Sequence, residues 1–530
     1  MNEGKGSYDV IASILRKAVE SIKQRTLLLL LISGIVITLP AILHQLLVMA
    51  SWEVYGFSFD DSWIHVQYAR TIFEGHPWEY SEGIPSTGSS APLWSIILSP
   101  IFLFGTSRAA VVTSVLTLSA ILFVGNTVLA GFLAESQTND WRAAIFAQAV
   151  FVLVPRNVGL MLSGMETPLA MMILLLILIL LPERDWRFDP LLGILAGLAY
   201  LCRPEFVLVA VLCFPIRALY VFYKEGFSIH RFLSLSSMFI LALLTVAPWV
   251  LHCLNVTGLP LPDSYYSKMR WGVSSDAVNL WSFFWLRVWL PSEPFLILGF
   301  VGAIILALKR RPYEGILIAG MVVLYRLTMP GMALLFDARY LVPLFNLLAL
   351  SFAGGAFILF EQVILKAIPE EKSKPNEEGI IAILLLSILF IPSVISYNHH
   401  VQIHANQASN IQEMQVTLSL WIRDNIPANS TVATYDVGAI GYFVRGTVVD
   451  LYGLVTPEIL HNRTSVKQRV AYLREINCSY IMFYVQWFAG LRFEINGQNG
   501  TVNELIRAHL DDNVVCGTDD MAVYKITWET

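Results

Sequence analysis

Long unbroken apolar runs at 26–50, 109–134, 232–252, 341–360 and 379–395 constrain this 530-residue chain more than any other feature. Each is long enough to cross roughly 30 Å of hydrocarbon as a helix. A bilayer core holds no water to satisfy exposed peptide groups, so such segments are expected to be helical. Composition agrees: 56% of the residues are hydrophobic and 14% charged, against about 25% charged in a soluble globular chain. The first run is too long for a removable signal peptide and has no small-residue cleavage site after it, so it reads as a retained anchor.

The polar residues between the runs suggest an orientation. Basic residues collect at Lys5, Arg16, Lys17, Lys23 and Arg25, at 217–231, at 309–311 and at 366–374. The positive-inside rule puts all four groups in the cytoplasm. Parity then places 51–90, 253–292, 329–340 and everything after about Asn398 outside. The short run 92–104 fits this parity only if it lies at the interface without crossing. The expected result is about eleven spans in the cell membrane, with the N-terminus inside and the C-terminus outside. The short stretches flanking Arg203 read as a hairpin whose tip lies at the outer surface, which keeps that charge out of hydrocarbon.

From about residue 400 the texture changes. A helix ending at 418–426, strands at 430–435 and 447–451, a helix at 466–476 and a strand at 480–484 alternate. That alternation predicts a small α/β domain with a largely parallel sheet. The fold class expected is therefore an α-helical polytopic membrane protein with a C-terminal extracytoplasmic α/β domain. Its parts are a cytoplasmic N-terminus (1–25), a transmembrane catalytic domain (26–397) and the outer domain (398–530). Glycosylation acceptor sequences at Asn255, Asn429, Asn462, Asn477 and Asn499 agree with an outer location. Cys202, Cys213 and Cys253 sit in apolar surroundings and read as packing residues. A disulfide between Cys478 and Cys516 is left open. With a net charge of -5 and no basic stripe, nucleic acid is not an expected partner.

The chemistry concentrates in the outer segments. Asp60 and Asp61 stand side by side just past the first span, in FSFDDSWIHVQYARTIF. A carboxylate there can take a proton from an attacking hydroxyl; the plainer alternative is a cap on the helix that follows. Adjacent acids could equally hold a divalent metal ion. Ile64, Tyr68 and Ile72 share one face of that helix, which is expected to lie along the membrane surface. Arg203, Lys268 and Arg339 recur at outer ends of apolar segments, where fixed cations can stabilise a departing lipid phosphate or simply reach toward headgroups. Glu166 and Glu205 are candidates to pair with these cations or to bind substrate hydroxyls. Tyr265 and Tyr266, beside Lys268, are candidates to line a sugar site.

Taken in order, FDDSWIHVQYARTIFEGHPW, PLW, SGMETPL, GLAYLCRPE, GLPLPDSYYSK and ARYLVPL resemble the terminal arabinofuranosyltransferase-like group of polyprenyl-phosphate-sugar-dependent membrane glycosyltransferases, which have the superfamily C fold. TYDVGAIGYF and VVDLYGLVTPEI resemble that group's C-terminal domain. The resemblance covers most of the chain. It implies a catalytic acid in the first outer loop, mapping to Asp60 before Asp61, and phosphate contacts at Arg203, Lys268 and Arg339. The stretch DDSWIHVQYA and the later STGSSAPLW depart from the group's usual pattern, which bears on acceptor and sugar identity.

The expected function is inverting transfer of a sugar from a polyprenyl- or dolichyl-phosphate donor to an extracytoplasmic glycan, lipid or protein acceptor, in contact with membrane lipids. No glycine-rich phosphate loop is present, in keeping with a donor that is not a nucleotide sugar. One alternative is a lipid-linked sugar flippase or solute transporter, although transport folds more often carry internal repeats and midplane charges. Another is a silent glycan-binding assembly protein.

Overall fold

A computed structural model describes residues 3–183, 185–272, 293, 295–309, 313–328, 338–359 and 391–529, with side chains from Arg25 onward except at 225, 269–272 and 328. The basic positions Arg310 and Arg311, the segment 366–374 and the first part of the run 379–395 lie outside the described residues.

Helix α1 (Glu3–Ser51) leads into a loop and the short helix α2 (Asp61–Phe73), followed by a two-stranded ribbon, β1 (Glu79–Ser81) and β2 (Ile84–Pro85). Helix α3 (Pro92–Leu98) and a 3-10 turn (Ser99–Phe104) account for the short apolar run. Helices α4 (Arg108–Thr138), α5 (Trp141–Val152), α6 (Asn157–Met161), α7 (Thr167–Leu180), α8 (Phe188–Cys202), α9 (Val207–Glu225), α10 (Ile229–Thr257) and α11 (Asp263–Gly272) follow. Next come α12 (Phe295–Leu308), α13 (Tyr313–Thr328) and α14 (Val342–Leu359). Among the described residues five helical segments are long and apolar enough to cross a membrane: Arg25–Ser51, Arg108–Thr138, Pro204–Lys224, Ile229–Thr257 and Arg339–Leu359. Shorter apolar helices, including α5, α7, α8 and α12, stand among them.

Close helix packing explains the glycines in the bundle. A Cβ at Gly302 of α12 would lie 2.1 Å from the Ser351 carbonyl oxygen of α14, and one at Gly193 of α8 would lie 2.1 Å from that of Met238 on α10. Without a hydrophobic drive between helices in lipid, such contacts between small residues hold them together. Helix starts are set by side chains: Ser107 accepts a hydrogen bond from Ala110 N at 3.2 Å, and Ser228 caps α10 in the same way.

Helix α15 (Ile391–Ile411) continues through a π turn (Gln412–Val416) into α16 (Thr417–Asn425). Beyond it lies a five-stranded sheet in the order β4-β3-β5-β7-β6, formed by β3 (Val432–Thr434), β4 (Val448–Asp450), β5 (Tyr480–Tyr484), β6 (Gly500–His509) and β7 (Asp520–Trp528). The first three strands are parallel, but β7 runs antiparallel to both β5 and β6. The sheet is therefore mixed, and the largely parallel expectation misses a hairpin whose outer strand β6 is exposed along much of its length. Helices α17 (Gly438–Phe443), α18 (Pro457–His461), α19 (Val466–Glu475) and α20 (Phe488–Gly497) complete this part. The box linking Ser465 and Gln468 sets the start of α19. Cys478 and Cys516 are both free thiols.

Helix α2 is packed on two faces and does not present one apolar face outward as expected. Trp63, Val66 and Ala69 join the apolar core of the helical bundle, while Ile64 and Tyr68 join a second core with Met414, Leu418, Ile440 and Val523 of the C-terminal part. A helix apolar on two faces is buried between two bodies. This sandwich fixes the acids that open α2.

Candidate active site

The two adjacent acids are held by different parts of the chain. Both Asp60 oxygens accept backbone hydrogen bonds from α17, from Gly438 N at 2.6 Å and Ala439 N at 2.8 Å. Asp60 makes no side-chain cap on its own helix, so its carboxyl ties the loop to the C-terminal part. Gly438 allows this approach, since a Cβ there would lie 1.9 Å from the Asp60 carbonyl oxygen. Asp61 instead pairs with Arg339. Burial and the nearby Asp436 push Asp60 up to about 8, against the two backbone amides. Burial pushes Asp61 up as well, but Arg339 and then Lys268 outweigh it and hold that carboxyl below its ordinary value. Neighbouring carboxyls with values driven apart are suited to separate roles.

The cations meet on one ring. Arg203 and Lys268 lie 5.6 Å from the centre of Tyr340, and Arg339 lies 5.1 Å from it. They differ in what already neutralises them. Arg203 is buried, hydrogen-bonds Glu166 at 2.8 Å and faces Glu205 at 3.5 Å; Glu166 also faces His65 at 3.4 Å. Arg339 has Asp61. Among the described residues, Lys268 has no carboxylate within ion-pair distance. Arg203, Glu166, Glu205, Tyr265, Lys268, Arg339 and Tyr340 line one small cavity of about 40 Å³. Tyr266 is turned toward His461, with ring centres 6.4 Å apart.

Lys268 and Arg339 also line a second, larger chamber of about 240 Å³, together with Asp60, Asp61 and Asp436. Its far wall is aromatic, formed by Tyr435, Tyr452, Tyr484 and Trp487 of the C-terminal part. Asp436 is fixed by Tyr484 Oη and by Gln415 Nε2, the latter at 2.8 Å from the π turn, and burial raises its carboxyl above the ordinary value. Cations and acids thus share a chamber whose two neighbouring walls come from different halves of the chain. Among the described residues, no three His, Cys, Asp or Glu side chains are grouped so as to hold a metal ion.

The C-terminal part is pinned over this chamber. Asp263, at the start of the helix that carries Lys268, bonds His461 Nε2 at 2.7 Å. Ser86 Oγ donates to Val455 O at 3.0 Å, and Tyr80 Oη donates to Val437 O at 2.6 Å. Asp450 accepts from the amides of Tyr452, Leu454 and Val455, which shapes the loop bearing Tyr452.

Sequence reasoning named all three cations and both acids, and the structure gathers them. It missed Tyr340, although this residue stands beside Arg339 in the quoted ARYLVPL. It also missed Asp436, which lies inside TYDVGAIGYF. Gln415 and Trp487 carry no signal in the sequence, since only the π turn and the end of β5 bring them to the chamber.

The fold recurs in proteins of known structure. The structure of ArnT from Cupriavidus metallidurans bound to undecaprenyl phosphate matches with a TM-score of 0.57 and 12% identity, over 93% of this chain and 97% of that one. Its apo state matches at 0.55 and 14%, over 88% and 93%. The Archaeoglobus fulgidus oligosaccharyltransferase tethered to an acceptor peptide matches at 0.51 and 14%, over 87% and 70%. The chain shares its overall fold with these three structures. Its long apolar helices mark the chain as an integral membrane protein. A family model described as Domain of unknown function (DUF8728) matches residues 403–524. No curated protein matches the chain.

Proposed function

We propose that the protein is a membrane glycosyltransferase that moves a sugar from a polyprenyl- or dolichyl-phosphate donor to a hydroxyl of an extracytoplasmic acceptor, with inversion. The observation that carries this reading is the shared chamber, in which Asp60 and Asp61 stand with Lys268 and Arg339. The acceptor oxygen attacks the anomeric carbon, the bond from that carbon to the phosphate oxygen breaks, and the lipid phosphate leaves with the electron pair. Asp60 takes the acceptor proton. Two backbone amides fix its orientation, and a pKa near the working range suits a general base. Asp61 stays ionised and holds Arg339. Lys268 and Arg339 offset the charge that grows on the phosphate. Arg203, already paired with two glutamates, shapes the cavity wall more than it adds net charge. Aromatic faces opposite the acids suit a glycan acceptor, whose ring C–H groups pack on them.

The shared fold supports the same reading, since one similar structure holds undecaprenyl phosphate and another an acceptor peptide. The test is transfer by membrane-reconstituted protein from a panel of polyprenyl- and dolichyl-phosphate sugars to oligosaccharide acceptors, comparing wild type with Asp60→Asn. Loss of transfer with donor binding retained supports the proposal. Transfer at the wild-type rate moves the base elsewhere, and a wild type inert with every donor favours a transporter of lipid-linked sugar.

A further inference from the structure

On the far side of α17 from the reaction chamber lies a second and larger groove, about 960 Å³ in volume, between α2, the turn before α4 and the edge of the C-terminal part. It has no place in the transfer reaction proposed above. Tyr80 seals the two spaces from each other: its hydroxyl bonds Val437 O, and Gly441 packs against its ring so closely that a Cβ would lie 2.1 Å from the hydroxyl oxygen.

Four arginines line this groove: Arg70, Arg108, Arg423 and Arg445. Glu74, Glu82 and His76 line it too, yet among the described residues neither glutamate lies within 4.0 Å of any of the four guanidinium groups. Arg70 donates to Tyr442 O at 2.8 Å and lies 4.9 Å from the centre of the Tyr442 ring. Arg108 donates to Tyr55 O at 2.8 Å and to Gln412 Oε1. Both are oriented by neutral acceptors and keep their charge uncompensated. Among the described residues, Arg423 pairs only with its exposed neighbour Asp424. Arg445 is exposed and makes no ion pair among the described residues. Charges arranged in this way cost stability through mutual repulsion unless an anion joins them.

The level of the groove indicates where that anion comes from. Arg108 is the first residue of α4, a candidate span, so its guanidinium stands at the boundary of the hydrocarbon. Just before it, Leu103 and Phe104 are 74% and 77% exposed, and Phe73 at the end of α2 is 45% exposed. Large apolar side chains at a membrane boundary face acyl chains, while the arginines beside them face headgroups. We propose that this groove binds the phosphate-bearing headgroup of an anionic membrane lipid, gripped by Arg108, Arg423 and Arg445 with its acyl chains lying against Leu103 and Phe104. The site would fasten the C-terminal part, which carries α17 against Asp60, to the bilayer at the start of α4.

Native mass spectrometry of the purified full chain tests this, titrating phosphatidylglycerol, phosphatidylcholine and soluble glycerol 3-phosphate into wild type, R423A/R445A and R423K/R445K. Phosphatidylglycerol should bind roughly 5- to 30-fold tighter to wild type than to the double alanine variant, at about a fivefold loss per surface charge removed. Phosphatidylcholine should not distinguish them, and the lysine pair should restore most of the affinity. Arg445→Glu alone gives the same reading should the double variant fail to fold. Equal phosphatidylglycerol affinity in wild type and a folded charge-removed variant would overturn the site. Glycerol 3-phosphate binding as tightly as the lipid would overturn the membrane as its source.

Discussion

At the residue scale, Asp60 and Asp61 show that adjacent identical side chains acquire different properties from their partners. Replacing Asp60 by Asn leaves one oxygen to accept from α17, sets an amide NH2 against the other backbone N–H, and removes the proton acceptor. Transfer should fall by roughly 10²- to 10⁴-fold with donor binding little changed. If Asp60 is the base, kcat/KM should rise with pH and level off above about 8, and this rise should be missing from any residual activity of Asp60→Asn. Stability should move the opposite way. The folded-state value of Asp60 lies above its ordinary 3.8, so its contribution is full below about 4 and is lost as pH rises through about 8. The melting temperature of Asp60→Asn should therefore change less between pH 6 and pH 9 than that of wild type. Lys268→Ala tests the leaving-group contact. With no carboxylate partner among the described residues to leave unpaired, it should weaken donor binding by roughly 10- to 100-fold while the fold survives, as read by donor titration and thermal melting.

At the element scale, α2 and α17 form one working unit although they lie hundreds of residues apart in the chain. Their closest approach depends on Gly438, where an added methyl would meet both the backbone and the carboxyl of Asp60. Gly438→Ala should destabilise the protein by about 1–3 kcal/mol. It should also lower transfer more than donor binding, because α17 must withdraw from the acid it orients. A melting curve and a transfer rate equal to wild type would show that this contact is dispensable. The π turn at Gln412–Val416 acts in a similar way, since it directs Gln415 onto Asp436 in the middle of a long helix. Such turns are common where a helix serves a site.

At the scale of the whole molecule, the helical bundle supplies the cations and the C-terminal part supplies the aromatic wall, with the acids held between them. Both sides of the chamber must then face the same side of the membrane. Single cysteines at the exposed positions Glu82 and Asp511 should both react with an impermeant thiol reagent added to intact cells. Labelling of either one only after lysis would contradict an outer-facing site. The same geometry predicts that His461→Ala, which removes the 2.7 Å bond to Asp263, lowers the apparent affinity for donor by loosening the helix that carries Lys268. Donor titration of that variant checks this directly.

Much of this architecture is legible in the amino-acid sequence alone. Apolar runs fix helices because lipid offers peptide groups no other partner. Alternation within 430–484 marks β3, β4, β5 and α19 because strand and helix bury residues with different periods. The order of short motifs points to the two acids and three cations, since the chemistry of a charged site is carried by the residues themselves. What a sequence does not hold is pairing between distant segments. The ends of β6 and β7, the two-sided burial of α2, the convergence of three cations on Tyr340 and the different contacts of Asp60 and Asp61 all depend on partners far away along the chain. Local sequence sets which groups a residue offers and which face of an element it occupies. Only the packed structure decides which other charge, ring or amide stands opposite, and that neighbour sets whether a carboxyl is ionised, neutral or free to react.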